Sequence, residues 1–211
     1  MIHRSTIPDM PETKPGSPVW ELALVYPRQG EWTESSYFDL QNSYKFVEFN
    51  RGYLEFLEVP PKSHERLIKF LEKILARYFD DTGRGEVFKS GLALHADTGL
   101  IRVPDISVIR PDDDKYSEDY PEFALLVVEV VSDSYADRKR DLKTKVEEYQ
   151  QAGIPEYWIV DPKDRVIHVL SLQSGSTEYT KLTFELGNRV VSGLYSELEF
   201  DVADLFAILD R

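Results

Sequence analysis

The 211-residue chain has no cysteine, which excludes a disulfide framework and a thiolate zinc site. Histidine is scarce as well: the four present, His3, His64, His95 and His168, are too scattered to suggest an imidazole cluster for zinc. Positive charge is outnumbered, with 25 Lys and Arg against 38 Asp and Glu and a formal net charge of −13. Broad, sequence-independent affinity for nucleic acid depends on cations that neutralise phosphates, so any such site here must be a local basic patch. No apolar run approaches the roughly 20 residues that span a bilayer, and MIHRSTIPDMPETKPGSP at the start lacks the apolar core of a secretory signal. A cytoplasmic location without a membrane partner is expected. What the chain does have is 42% hydrophobic and 12% aromatic residues, enough for one sizeable core.

Residues 1–34 carry Pro8, Pro11, Pro15, Pro18 and Pro27 and read as an irregular arm, with Trp20 and Trp32 as its anchors. Residues 35–211 read as a single domain. YKFVEFNRGYLEFLEV, 44–59, alternates on either side of Asn50-Arg51-Gly52 and predicts a β-hairpin. SHERLIKFLEKILARYF predicts a helix, A, over 63–80, capped by Ser63, with His64, Leu67, Ile68, Leu71, Leu75 and Tyr78 on one face. Strands are expected at 86–95, 101–109 and 123–132, the last two apolar enough to be central. A very acidic loop, 112–119, joins those two. YADRKRDLKTKVEEYQQAG predicts helix B over 135–153, stopped by Gly153 and Pro155. The strands EYWIVD, RVIHVLSL and YTKLTFEL follow, and the short helix VADLFAIL closes the chain.

Two carboxylates are out of place in this pattern. Glu129 interrupts LLVVEVVS, a strand apolar on both faces, and Asp105 follows Pro104 inside RVPDISVI. A lone buried carboxylate costs several kcal/mol unless it is paired, metal-bound or protonated. The two acids lie on consecutive strands, which are neighbours in roughly two-thirds of cases, so they are expected to share one end of a sheet. Like charges at that range need compensation. A hard divalent cation such as Mg²⁺, held by one or two carboxylates with waters and substrate phosphates, supplies it.

Helix B supplies a second cation. At 100° per residue, Val146, Tyr149 and Arg138 fall within about 40° of Leu142, and Lys145 lies about 60° away at the margin of this stripe. Lys143 points off it. Asp105, Glu129 and Lys145 then form a metal-and-lysine set suited to hydrolysing a phosphodiester, the metal lowering the pKa of water and offsetting phosphate charge.

The order VPDISVI, LLVVEVVSDS, RDLKTKVEEYQQAGIPEYWIVDP resembles the Uma-two family of endonucleases, a branch of the PD-(D/E)XK restriction-endonuclease-like superfamily. The likeness runs from about residue 38 to 206. It takes in Glu48-x-x-x-Gly52, the Pro-Pro-x-x-His64 entry to helix A, Pro104-Asp105, Glu129 with Ser132, Asp141-x-x-x-Lys145-x-x-x-Tyr149, and Gly153-x-Pro155-Glu156-Tyr157-Trp158. The resemblance implies an α/β fold with an αβββαβ core, a mixed central sheet flanked by helices, an N-terminal hairpin and extra C-terminal strands. It also implies that Asp105 and Glu129 hold Mg²⁺, or Mn²⁺ in its place, beside a catalytic lysine. The substrate it implies is nucleic acid, with DNA expected, and it makes a homodimer plausible. One position departs: the superfamily keeps lysine two residues after the second acid, where this chain has Val131. The resemblance suggests that Lys145 replaces it.

Each of these residues has a plainer reading. Asp105 could be a strand-edge acid, Glu129 one half of a structural ion pair with Arg138 or Lys145, and Lys145 a solvated flank residue. His64 on the apolar face of helix A fits a core or capping role as well as a site role, Glu48 is a further candidate acid near the metal, and Tyr149 and Trp158 read as packing. A catalytically inactive binding or regulatory module on the same fold is the alternative function, favoured by the −13 charge and by Val131. An acid-pair glycosidase ranks last, because no aromatic sugar platform accompanies the acids.

Overall fold

Arg51 and Gly52 both have positive φ, 46° and 93°. That pairing defines the type I′ turn whose twist matches an antiparallel hairpin. It joins β1 (Val47–Asn50) to β2 (Tyr53–Phe56), as the alternation predicts. The computed structural model describes residues 26–41, 46–89, 91–110, 120–132, 134 and 138–210. Trp20, with most of the proline-rich arm, and the acidic loop 112–119 lie outside the described residues. By contact the chain falls into two compact units, residues up to Leu57 with Thr98–Leu100, and Glu58–Asp97 with Ile101 onward.

In the smaller unit, α1 (Glu34–Gln41) is a helix that no apolar periodicity announces. Thr33 and Ser36 cap it reciprocally: the Thr33 N–H donates to Ser36 Oγ at 2.9 Å and the Ser36 N–H to Thr33 Oγ1 at 3.2 Å. Tyr37, fully buried, donates its hydroxyl to the Val47 carbonyl at 3.0 Å and ties this helix to the hairpin. Trp32 is buried and stacks on Tyr26.

The larger unit begins with α2 (Lys62–Tyr78). Pro61 stands at its N-cap in extended geometry, so Ser63 is inside the first turn instead of capping it. His64, Leu67, Ile68, Leu71 and Leu75 are buried on one face, as their spacing predicts. Each such Leu or Ile contributes about 1.5–3 kcal/mol by leaving water. The strands β3 (Glu86–Lys89), β4 (Leu94–Asp97), β5 (Leu100–Arg102), β6 (Ile106–Ile109) and β7 (Leu126–Val130) follow. The runs expected as single strands at 86–95 and 101–109 are therefore each broken in two. In the second run Pro104, without an N–H and with a fixed φ, ends β5 and leaves Asp105 on a bend before β6.

A π-helical turn, Arg140–Thr144, leads directly into α3 (Lys145–Gln151). Then come β8 (Glu156–Asp161), β9 (Val166–Leu172), β10 (Tyr179–Glu185), the ribbon of β11 (Arg189–Val191) and β12 (Glu199–Asp201), and α4 (Val202–Phe206). Six strands form one mixed sheet in the order β10-β9-β8-β7-β6-β3. Only β7 and β8 run parallel, joined by the helical crossover that such a pair requires. Leu126, Val128 and Val130 pack with α2 and α4 in the main core. By alternation, Val127 and Glu129 face the opposite side, level with Tyr157 and Ile159 of β8.

Candidate active site

Every residue of β7 is buried, Glu129 included at 5% exposure. Its compensation comes from the helical crossover. Lys145, 1% exposed, places Nζ 2.6 Å from Glu129 Oε1, and the Tyr149 hydroxyl donates to the same oxygen at 3.2 Å. Lys145 Nζ also lies 3.7 Å from Asp141 Oδ1, which Arg140 Nε approaches at 3.3 Å. The cluster thus holds two carboxylates, Glu129 and Asp141, and two cations, Lys145 and Arg140. A buried ion pair is tolerated when its charges are matched and hydrogen-bonded in this way.

The π-turn decides which side chains take part. A regular helix with Leu142 facing inward would leave Lys145 at the margin. Instead Asp141, Lys145 and Tyr149 are the buried positions, and Leu142 and Val146 are only partly covered. A turn bonded i to i+5 carries one extra residue, so the face after it is rotated relative to an uninterrupted helix, and such turns often sit at functional sites. Two contacts hold the turn. The Tyr157 hydroxyl donates to the Asp141 carbonyl at 3.0 Å, and Arg138 grips Asp161 at the end of β8 with bonds of 2.9 and 2.6 Å. Burial, then the charges of Glu129 and Asp141, push the Tyr157 phenol well above its ordinary range, so it remains a donor. For Asp161, burial alone would raise the carboxyl, but the bonds from Arg138 and from the Asp164 and Lys163 N–H groups outweigh it and hold the pKa below the usual value.

Asp105 reaches the same place from the bend after Pro104. Its Oδ2 accepts the Val130 N–H at 2.7 Å, the peptide that directly follows Glu129, so the two acids are tied to one stretch of backbone. Asp105 Oδ2 also lies 3.2 Å from His64 Nε2, which is 3.0 Å from the Val130 carbonyl. A carbonyl only accepts, so Nε2 carries a proton. Burial alone would depress the His64 pKa; the bond and charge of Asp105 and the Val130 carbonyl reverse this and raise it. His64 Nδ1 is buried with no partner among the described residues.

Asp105, Glu129, Lys145 and His64 are therefore gathered around Glu129-Val130. Glu48 belongs to the smaller unit, where it is fully buried on β1 opposite Glu55. Val131 is buried and continues the ladder through its N–H to the Val160 carbonyl at 2.9 Å. The amine beside Glu129 thus comes from the crossover and not from the strand. Asp141 and the Tyr149 hydroxyl were not expected to take part, although the spacing of Asp141, Lys145 and Tyr149 at i, i+4 and i+8 was the available signal.

No group of three or more His, Cys, Asp or Glu among the described residues is placed to hold a metal ion. The donor set still suits a hard divalent cation. Asp105 offers a side chain 20% exposed, with Oδ1 unpartnered among the described residues, and one or two carboxylates suffice for Mg²⁺ when waters and phosphate complete the shell.

The model of the Uma2 family, described as putative restriction endonuclease, matches residues 34–203. The chain belongs to this family. No protein of curated function matches it. Among solved structures it is similar to a putative nuclease of the DUF820 group from Anabaena variabilis, with a TM-score of 0.68 and 18% sequence identity over 84% of this chain and 99% of that one. At that identity the likeness bears on fold alone, and it agrees with the mixed α/β architecture above. The family supports a nuclease acting on nucleic acid. No helix among the described residues is long and apolar enough to cross a membrane.

Proposed function

We propose that the protein is a metal-dependent nuclease that hydrolyses phosphodiester bonds, with DNA as substrate, using Asp105, Glu129 and Lys145. The observation that carries this reading is Lys145 Nζ at 2.6 Å from Glu129 Oε1, one peptide from the Asp105 anchor at Val130. Asp105 and Glu129 would hold Mg²⁺ or Mn²⁺, which supplies an activated water and charge neutralisation when bound. Lys145 offers a fixed positive charge toward the phosphate as negative charge develops. His64 positions Asp105 through the contact at Nε2, and Tyr149 positions Glu129. A cytoplasmic, homodimeric enzyme is part of the same reading.

Incubating the purified protein with a panel of DNA and RNA substrates and Mg²⁺ or Mn²⁺ tests it. Cleavage that disappears in Asp105→Ala is the expected result, and no cleavage of any substrate sinks the reading. A second reading, an inactive nuclease-fold binding module, draws on the same contact. Lys145 and Tyr149 already satisfy Glu129 Oε1, so the cluster is balanced without a metal. Calorimetric titration with Mn²⁺ separates the two, since the module predicts no binding below the millimolar range and no effect of Asp105→Ala.

A further inference from the structure

The outer face of α2 carries Lys62, Arg66, Lys69, Lys73 and Arg77, at spacings of four, three, four and four residues. At 100° per residue these five fall within about 80° of one another, opposite the buried stripe of His64, Leu67, Leu71 and Leu75. Lys62, Lys69, Lys73 and Arg77 are exposed and make no ion pair among the described residues. Solvated helix faces commonly alternate signs at i and i+4, where opposite charges attract and like charges destabilise the helix. Here three of the four charged i, i+4 pairs on the helix, Lys62–Arg66, Lys69–Lys73 and Lys73–Arg77, are like-charged, the fourth being Glu65–Lys69, in a chain whose net charge is −13. The row gathers positive charge on one helix face, with Asp204 beside its middle and Glu197, Glu199 and Asp201 in the groove beside Lys73 and Arg77. Its middle forms one wall of a trough of about 550 Å³ lined by Arg66, Lys69, Phe70, Lys73, Asp204 and Ile208.

We infer that this row is the track for a nucleic-acid phosphate backbone, holding a segment of the strand outside the Asp105–Glu129 cluster. From Lys62 to Arg77 the row rises about 22 Å, which matches about six nucleotides of one strand. It starts one turn or less from His64, the α2 residue that touches Asp105, so a strand on the row leads to or from the end of the helix where the cluster lies. The identity of the polyanion rests on the nuclease reading. The location of the surface does not, because it depends on the row of charges alone.

The test is binding, measured by fluorescence anisotropy with EDTA present so that cleavage plays no part. Labelled 30-mers of duplex DNA, single-stranded DNA and RNA are titrated with the wild-type protein and with Lys62→Gln/Lys69→Gln/Lys73→Gln/Arg77→Gln, between 50 and 200 mM salt. Each lost phosphate contact lowers the slope of log affinity against log salt by about 0.7–0.9, so the quadruple variant is expected to lose about three units of slope. At 50 mM salt it is expected to bind at least tenfold more weakly. Lys69→Gln/Lys73→Gln is expected to lose about half as much, and it serves if the quadruple variant unfolds. Lys163→Gln/Lys181→Gln, off the row, is expected to bind as wild type. Unchanged slope and affinity in the row variants overturn the inference, as does equal loss in the off-row variant. So does wild-type protein that binds no nucleic acid, or that binds phosphatidylserine vesicles through the row in preference to it. Cleavage assays of Asp105→Ala bear on the nuclease reading alone, so the two can fail separately.

Discussion

Lys145 and Glu129, both buried, meet at 2.6 Å between a strand and the helix that crosses over it. Removing one member of such a pair leaves the other buried without the opposite charge that offset it. Lys145→Met is therefore expected to destabilise the fold by about 3–5 kcal/mol in urea unfolding, and Glu129→Gln in the same background to restore part of the loss. Additive single and double effects would mean that the contact carries no coupling.

Asp105→Asn keeps an oxygen for the Val130 N–H but removes the charge. It is expected to fold while losing the stability that its charge gives through His64, and on the proposed nuclease reading cleavage with Mg²⁺ falls by at least about a hundredfold, the order found for losing one electrostatic contributor. Retained cleavage would remove Asp105 from the proposed site.

His64 has a pKa raised above its ordinary value by Asp105 and the Val130 carbonyl against the opposing effect of burial. The folded state therefore binds the proton more tightly than the unfolded chain does. This stability is fully present below about pH 6.5, the unfolded value, and is lost as pH rises through the folded value. The stability difference between wild type and His64→Gln, from urea midpoints, is expected to shrink between pH 6 and 9. A constant difference would mean that the proton on His64 is not linked to folding.

Tyr157→Phe deletes the donor to the Asp141 carbonyl inside the π-turn. A loss of about 1–3 kcal/mol is expected in thermal or urea unfolding, the cost of leaving a buried acceptor unpaired. On the proposed nuclease reading, cleavage is expected to fall further than stability explains, because the turn positions Lys145 beside Glu129.

Gly52 has φ of 93°, and a Cβ there would lie 2.8 Å from the Gly30 carbonyl oxygen. Gly52→Ala is expected to cost about 1–3 kcal/mol, through backbone strain and that close approach together. Urea unfolding checks it, and a neutral outcome would mean that the hairpin tolerates another turn.

How much of this could be read beforehand differs by element. The hairpin at Arg51-Gly52, the buried face of α2 and the strand around Glu129 follow from local spacing, and the structure agrees with all three. The break at Pro104, the helix α1 and the β11–β12 ribbon carry no such signal: the apolar pattern runs on across the first, and the other two are too short for periodicity to register.

The sequence by itself determined that Glu129 would be buried in an apolar strand and that helix B held a lysine to meet it, because alternation and helical spacing are properties of the backbone alone; Asp105, expected inside a strand, stands on a bend and is met by His64 and the Val130 N–H instead. Only the tertiary structure decided how they meet. The π-turn depends on Tyr157 and Asp161 of a neighbouring strand, and it turns Asp141, Lys145 and Tyr149 inward where a regular helix would present Leu142. The grip of Val130 on Asp105 likewise joins residues 25 positions apart, a contact that exists only once the strands have paired.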